Sequence, residues 1–253
     1  MSKIISVHSY RGGTGKSNLT ANLAATIAGY GHRVAIVDTD IQSPGIHVLF
    51  GFSESYIQPS LNDYLWGRCA IAETAHDVSS ILLKKAAKSR LFLIPSSVKA
   101  GEISRVLREG YDVGLLNDGF QELIEELNLD YLFIDTHPGI NEETLLSITI
   151  SDLLLLILRP DQQDLQGTAV TVDIARKLEV PKMLLMINKA LTSLDFDDLT
   201  KQIEATYHLP VAGVMPHSDD MILLASKGIF CLQYPDHPLT KVVELIAKQV
   251  MVD

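Results

Sequence analysis

The sequence predicts a doubly wound α/β fold, a mostly parallel sheet with helices on both faces, and three observations predict it. Short apolar, β-branched-rich runs recur along the 253 residues at 4–7, 34–37, 91–94, 131–134, 153–158, 183–187 and 211–214. These runs are continuous rather than alternating, which is the mark of strands covered on both faces. The segments between them read as helices, and strand–helix alternation from end to end belongs to one α/β architecture. Nothing in the chain forces a second domain, so residues 1–253 are read as one unit. Ligands on such folds sit beyond the carboxyl ends of the strands, which directs attention to the loop after each run.

The first run, Ile4-Ile5-Ser6-Val7, leads into Tyr10-Arg11-Gly12-Gly13-Thr14-Gly15-Lys16-Ser17. Leu19, Leu23, Ala24, Ile27 and Ala28 then keep helical spacing until Gly29 and Gly31. The second run ends in Asp38-Thr39-Asp40, two carboxylates on alternate positions of an extended segment and therefore on one side. Residues 51–90 hold Trp66, Cys69, Lys84 and Lys85, and their periodicity is mixed. Residues 113–128 and 161–178 carry helical patterns, and Tyr131–Ile134 feeds directly into Asp135-Thr136-His137-Pro138-Gly139. Met186-Ile187-Asn188-Lys189 and Val214-Met215-Pro216-His217 close the last two strands. Leu239, Val242, Val243, Ile246 and Val250 make an apolar stripe opposite Lys241, Glu244 and Lys248, which reads as a core helix. A membrane-surface helix would carry more basic and aromatic residues.

Glycines before Gly15-Lys16-Ser17 let backbone N–H groups turn inward without Cβ clashes, and the following helix start adds partial positive charge. That is a phosphate cradle, in which Lys16 reaches the β/γ phosphates and Ser17 ligates Mg²⁺. The strict P-loop string fails, because Tyr10 stands where its first glycine belongs. A plain glycine turn capped by Ser17 is the competing assignment. Asp135, at the end of a hydrophobic strand, is a Walker B carboxylate that holds Mg²⁺ through water. His137 is assigned to the loop as a side chain rather than a general base, since phosphoryl transfer relies on positioning and charge stabilisation.

Composition narrows the function classes. Twenty-one basic against 31 acidic residues give a net charge of −10, whereas chains that live on nucleic-acid phosphates show a basic excess. DNA binding is thus possible through a local patch but not favoured. The longest apolar run, Leu153–Leu158, is far short of the roughly 20 residues that span a bilayer. No export signal is read, so the expected location is cytoplasmic. Cys69 and Cys231 lack metal-ligand spacing and are expected to be buried thiols in a reducing compartment.

The basic residue, double glycine, variable residue and Gly-Lys-Ser of residues 11–17 resemble the deviant P-loop of the MinD/ParA ATPases. Similarity extends over essentially the whole chain and is weakest at 51–90. In that family the first basic residue is a lysine that crosses a dimer interface to the partner's nucleotide; here it is Arg11. A guanidinium can still clamp phosphate bidentately, and a contact within its own subunit is the alternative. The resemblance further implies that Asp40 orients the attacking water, that Asp38 supports the metal site and loop, and that Asn188 reads the adenine beside the Pro216–His217 loop. Arg11, Gly12, Gly13, Thr14, Gly15, Lys16, Ser17 and Asn18 then form the nucleotide cradle, and Ser17, Asp40 and Asp135 the metal set. Arg11, Lys16 and Asp40 carry catalysis. The implied activity is a slow Mg²⁺-ATP-dependent ATPase, a homodimer when ATP is bound, stimulated by a protein partner and positioning a cargo. The chain stops where MinD's membrane tail would begin, so no direct membrane anchor is expected. A metabolic enzyme of the dethiobiotin-synthetase or amidoligase type is the alternative, with residues 51–120 as the place for a second substrate. Cys69 and Cys231 stand too far apart for a nitrogenase-iron-protein-like cluster, and no C-terminal tyrosine cluster supports a kinase.

Overall fold

The structure is a computed structural model that describes residues 2–83 and 86–252; Lys84 and Lys85 lie outside the described residues. In chain order the elements are β1 (Lys3–His8), α1 (Lys16–Gly29), β2 (Arg33–Asp38), α2 (Leu61–Leu65), β3 (His76–Asp77), β4 (Arg90–Ile94), α3 (Ala100–Glu109), α4 (Val113–Glu126) and β5 (Tyr131–Asp135). Then follow α5 (Glu142–Thr149), β6 (Leu153–Leu158), α6 (Gln162–Lys177), β7 (Lys182–Ala190), α7 (Phe196–Tyr207), β8 (Val211–Pro216), α8 (Asp219–Leu224), α9 (Phe230–Gln233) and α10 (Pro238–Met251). The strands form one sheet in the order β3-β4-β2-β5-β1-β6-β7-β8. All pairs are parallel except β3 with β4. Every apolar run became a strand. The two-residue β3, from the irregular 51–90 stretch, has too little pattern to announce itself.

The runs are continuous because both faces are covered. β6 is buried at all six positions, and each leucine withdrawn from water contributes about 2 kcal/mol before the cost of ordering it. On one face α1 and α10 pack over Ile5, Val7, Leu155 and Met186. On the other, α2 and α4 cover one wing around Phe120 and Ile134, and Val172 of α6 with Ile203 of α7 cover the other wing. The apolar stripe of α10 lies on α1 and β8, with Leu239, Val243, Ile246 and Val250 buried. Its packing is tight at Gly213 of β8, where an added Cβ would come within 3.1 Å of Ile246. Among the described residues no helix is long and apolar enough to cross a membrane. Cys231 is buried, but Cys69 is only half-buried, correcting the expectation of two buried thiols.

The topology sets the position of the site. After β1 the chain lays β2, β3 and β4 outward on one side and returns to insert β5 beside β1, then continues on the other side through β6 to β8. β1 thus sits between β5 and β6, and the crevice where strand order reverses opens at their carboxyl ends.

Candidate nucleotide-binding site

From His8 the chain turns through Ser9–Gly15 and enters α1 at Lys16. Gly13 and Gly15 have φ of 76° and 96°, left-handed values that strain any residue with a Cβ. At Gly15 the close approach matters as well: a Cβ would lie 2.5 Å from Asn188 Nδ2. Gly15 itself is the N-cap and no side chain caps the helix, so the Ser17 hydroxyl is not spent on its own helix as the plain-turn assignment required. The result is a cavity of about 230 Å³ lined by Gly12–Asn18, with Asp40 and Pro138 opposite. Backbone donors at a helix N-terminus in such a cavity fit phosphate.

Beneath the loop lies a dense set of buried charges. The β2–β5 register places Asp38 directly beside Asp135. Lys16, 7% exposed, sets its Nζ 2.9 Å from Asp135 Oδ1. Thr20, one helical turn beyond Lys16, brings its Oγ1 to 3.3 Å from the same oxygen. Asp38 accepts from the backbone N–H groups of Asp40 at 3.1 Å and Gly45 at 3.3 Å. Burial, and then the neighbouring Asp135 charge, hold the Asp38 carboxyl well above the usual carboxylate range. Asp40 pairs with His137 Nδ1 at 2.7 Å, and that hydrogen bond is the main cause of a raised His137 pKa. His8 is fully buried; Thr136 Oγ1 donates to the Val7 carbonyl and so accepts from His8 Nδ1 at 2.7 Å. Burial, then Lys16 and His137, lower the His8 pKa to about 3.

The residues present fit a magnesium ion and a nucleotide. Asp135 Oδ2 and Thr14 Oγ1 are buried without a hydrogen-bond partner among the described residues, a costly state unless a ligand completes them. Asp40 borders the cavity and Asp135 lies beneath it beside the Lys16 ammonium, so carboxylate oxygen is at hand for a hard cation. Among the described residues no three His, Cys, Asp or Glu side chains form a cage for a metal. Mg²⁺ binds through one or two carboxylates together with substrate phosphates. Ser17, Asp40 and Asp135 are the side chains that would hold it.

The structure brings most of the sequence-identified residues together and sets a few apart. Asp40 lines the cavity, but Asp38 turns its carboxylate back onto its own loop rather than standing on the same side. Asn188 is buried behind the glycines, its Nδ2 donating to Thr14 O at 2.7 Å and its Oδ1 accepting from Lys189 N at 2.8 Å. It therefore braces the loop. Beyond it a second cavity, of about 10 Å³, lies between Asn18, Asn22, Met215, Met221 and Val243. Pro216 lines an outer recess with Phe196, and His217 N donates to Ala190 O at 2.7 Å, tying the ends of β7 and β8. Arg11, 40% exposed, points to Asp161 and Asp164 at the start of α6 rather than into the phosphate cavity. Sequence reading missed Thr20, His8 and Thr136. Thr20 could have been found as the i+4 neighbour of Lys16, whereas the other two carry no signal before the strands are paired.

Comparisons with known proteins agree with the fold. The family model described as AAA domain matches residues 2–191. An uncharacterized ATP-binding protein of Methanocaldococcus jannaschii is 27% identical over 253 residues, covering 99% of this chain and 88% of that protein. The septum site-determining protein MinD of Helicobacter pylori is 27% identical over 239 residues, 90% of this chain and 83% of its own. Among solved structures, MinD of Pyrococcus horikoshii complexed with Mg-ADP superposes with a TM-score of 0.81 at 20% identity, covering 99% and 96% of the two chains.

Proposed function

The chain belongs to the AAA domain family, and from that premise we propose that it is a Mg²⁺-dependent ATPase whose bound nucleotide controls the pairing of two copies, and through that pairing the placement or regulation of a cargo. The observation that carries the reading is the arrangement of Gly12–Ser17 against Asp40 and Asp135, a backbone phosphate cradle facing carboxylates. In this reading the loop amides and Lys16 bind the phosphates, Ser17, Asp40 and Asp135 hold the metal, and Asp40 also orients the attacking water. Magnesium supplies charge neutralisation at the phosphate oxygens. His137 holds Asp40 in place through its 2.7 Å hydrogen bond and is not itself the base. MinD relatives are described as septum site-determining and a solved complex pairs MinD with MinC, which supports a protein partner here. Size-exclusion chromatography of Asp40→Ala with saturating Mg²⁺-ATP tests the reading. A persistent dimer is expected; a monomer at saturating ATP would remove nucleotide-driven pairing.

One observation favours a second reading. A polar recess lined by Ser53, Glu54, Gln58 and Lys99 lies in the 51–120 region, where an ATP-dependent metabolic enzyme would hold its second substrate. ATP turnover stimulated by a small metabolite rather than by a protein would select it.

A further inference from the structure

The two residues that open the phosphate loop are docked on α6 by shape and by charge. Tyr10 fills a notch made by Gly167, where an added Cβ would lie 2.0 Å from Tyr10 Cδ1 and 2.8 Å from Tyr10 Cβ. Next to it, one terminal nitrogen of Arg11 lies 3.7 Å from Asp161 and 3.6 Å from Asp164. Asp164 is no casual surface acid. It is 2% exposed, and Arg159 holds it through Nε at 2.9 Å, Nη2 at 3.3 Å and backbone N at 3.1 Å. Asp161 caps α6 by accepting from Gln163 N and Asp164 N, which fixes its carboxylate too. Two acids and two guanidinium groups thus form a neutral, pre-ordered cluster outside the phosphate cavity.

We infer that Asp164, with Asp161, is a positioning residue that keeps Arg11 retracted on α6 of its own subunit, in competition with any nucleotide phosphate that Arg11 could reach. This rests on the nucleotide-controlled pairing proposed above. The physical reason is that a carboxylate and a phosphate oxygen are alternative acceptors for one guanidinium. Fixed acids lose little entropy on pairing, so they hold the arginine more firmly than free surface acids do. Arg11 must leave this seat before it can engage a second subunit's nucleotide, and the seat therefore sets how much ATP is needed to assemble the pair.

The test uses the full chain carrying Asp161→Ser with Asp164→Asn, which keeps a helix-capping oxygen and the shape of the buried acid while removing both charges. Asp161→Ser alone is the milder variant should the pair fail to fold. The ATP concentration at half-maximal dimerisation, read by light scattering, should fall about fivefold, the size expected for one ion pair. An unchanged or higher midpoint would overturn the inference. A second measurement needs no dimer: a thermal-unfolding cycle of Arg11→Ala against Asp164→Asn, without nucleotide, should show that the two effects are not additive. Additive effects would also overturn it. A parent chain that never pairs with ATP, yet shows the non-additive cycle, would sink the proposed function while leaving Arg11 seated on α6.

Discussion

Around the phosphate loop a cavity of about 230 Å³ is lined largely by backbone, while beyond Gly15 the adjoining cavity shrinks to about 10 Å³ and is lined by side chains. Most of the first is built by one continuous segment, Gly12–Asn18, whose conformation two left-handed glycines fix locally, with Asp40 and Pro138 completing it. The second needs Asn18 and Asn22 of α1, Asn188 of β7, Met215 of β8, Met221 of α8 and Val243 of α10 to converge. A site made of backbone is ready as soon as the local turn forms. One made of side chains from distant elements depends on how those elements pack, and methionines are well suited to repacking when a ligand enters. The loop cavity is thus the rigid half of the candidate site and the side-chain-lined cavity the adaptable half.

The contrast can be broken most forcefully at Lys16. Lys16→Ala removes the ammonium that faces the phosphates and strands the buried Asp135 carboxylate. ATP affinity should fall at least about a hundredfold, roughly 3 kcal/mol. Binding of inorganic tripolyphosphate should fall by a similar factor, as calorimetry would show. Parent-like binding of either ligand would move the phosphate site elsewhere.

Asp40→Ala acts on turnover rather than on affinity. The loop amides and Lys16 still bind the phosphates, and Ser17 and Asp135 still hold the metal, so the ATP dissociation constant should stay within about threefold while kcat drops about a hundredfold. Steady-state hydrolysis at the parent rate would mean that another group orients the water.

Asn188→Ala sharpens the boundary between the two halves. Both ends of its amide are occupied, one by Thr14 O and one by Lys189 N. As a brace of the loop, its loss should weaken ATP and tripolyphosphate alike, about tenfold each. If ATP alone weakens, Asn188 reads the base, as the family resemblance implied, and the adaptable half extends up to the glycines.

A different effect, on stability rather than on binding, is expected at His8, under the rigid half. Burial lowers its pKa to about 3, so the unfolded chain binds a proton there that the folded chain refuses. Its contribution to stability is complete above the unfolded value of about 6.5 and is lost progressively as pH falls from there towards 3. The urea midpoint of the parent should therefore drop further between pH 7 and pH 5 than that of His8→Gln. Equal drops in the two proteins would mean that His8 carries no such penalty.

Much of this molecule was legible in its residues. Continuous apolar runs such as Leu153–Leu158 marked the parallel strands, because a strand covered on both faces has no position that tolerates a polar side chain. Glycines with Lys16 and Ser17 marked the phosphate loop, because backbone curvature and charge placement are local properties of a few adjacent residues. Asp135 followed as the carboxylate that ends β5, and Asp40 as the one just beyond the end of β2. What only the tertiary structure decided depends on which strands and helices lie side by side. The β2–β5 register set Asp38 against Asp135, α6 placed Gly167 under Tyr10 and Asp164 beside Arg11, and β7 brought Asn188 behind Thr14. These partners stand 97, 157, 153 and 174 residues apart in the chain. No periodicity or motif spans such separations, and a guanidinium offered two possible acceptors takes the one that packing brings within reach.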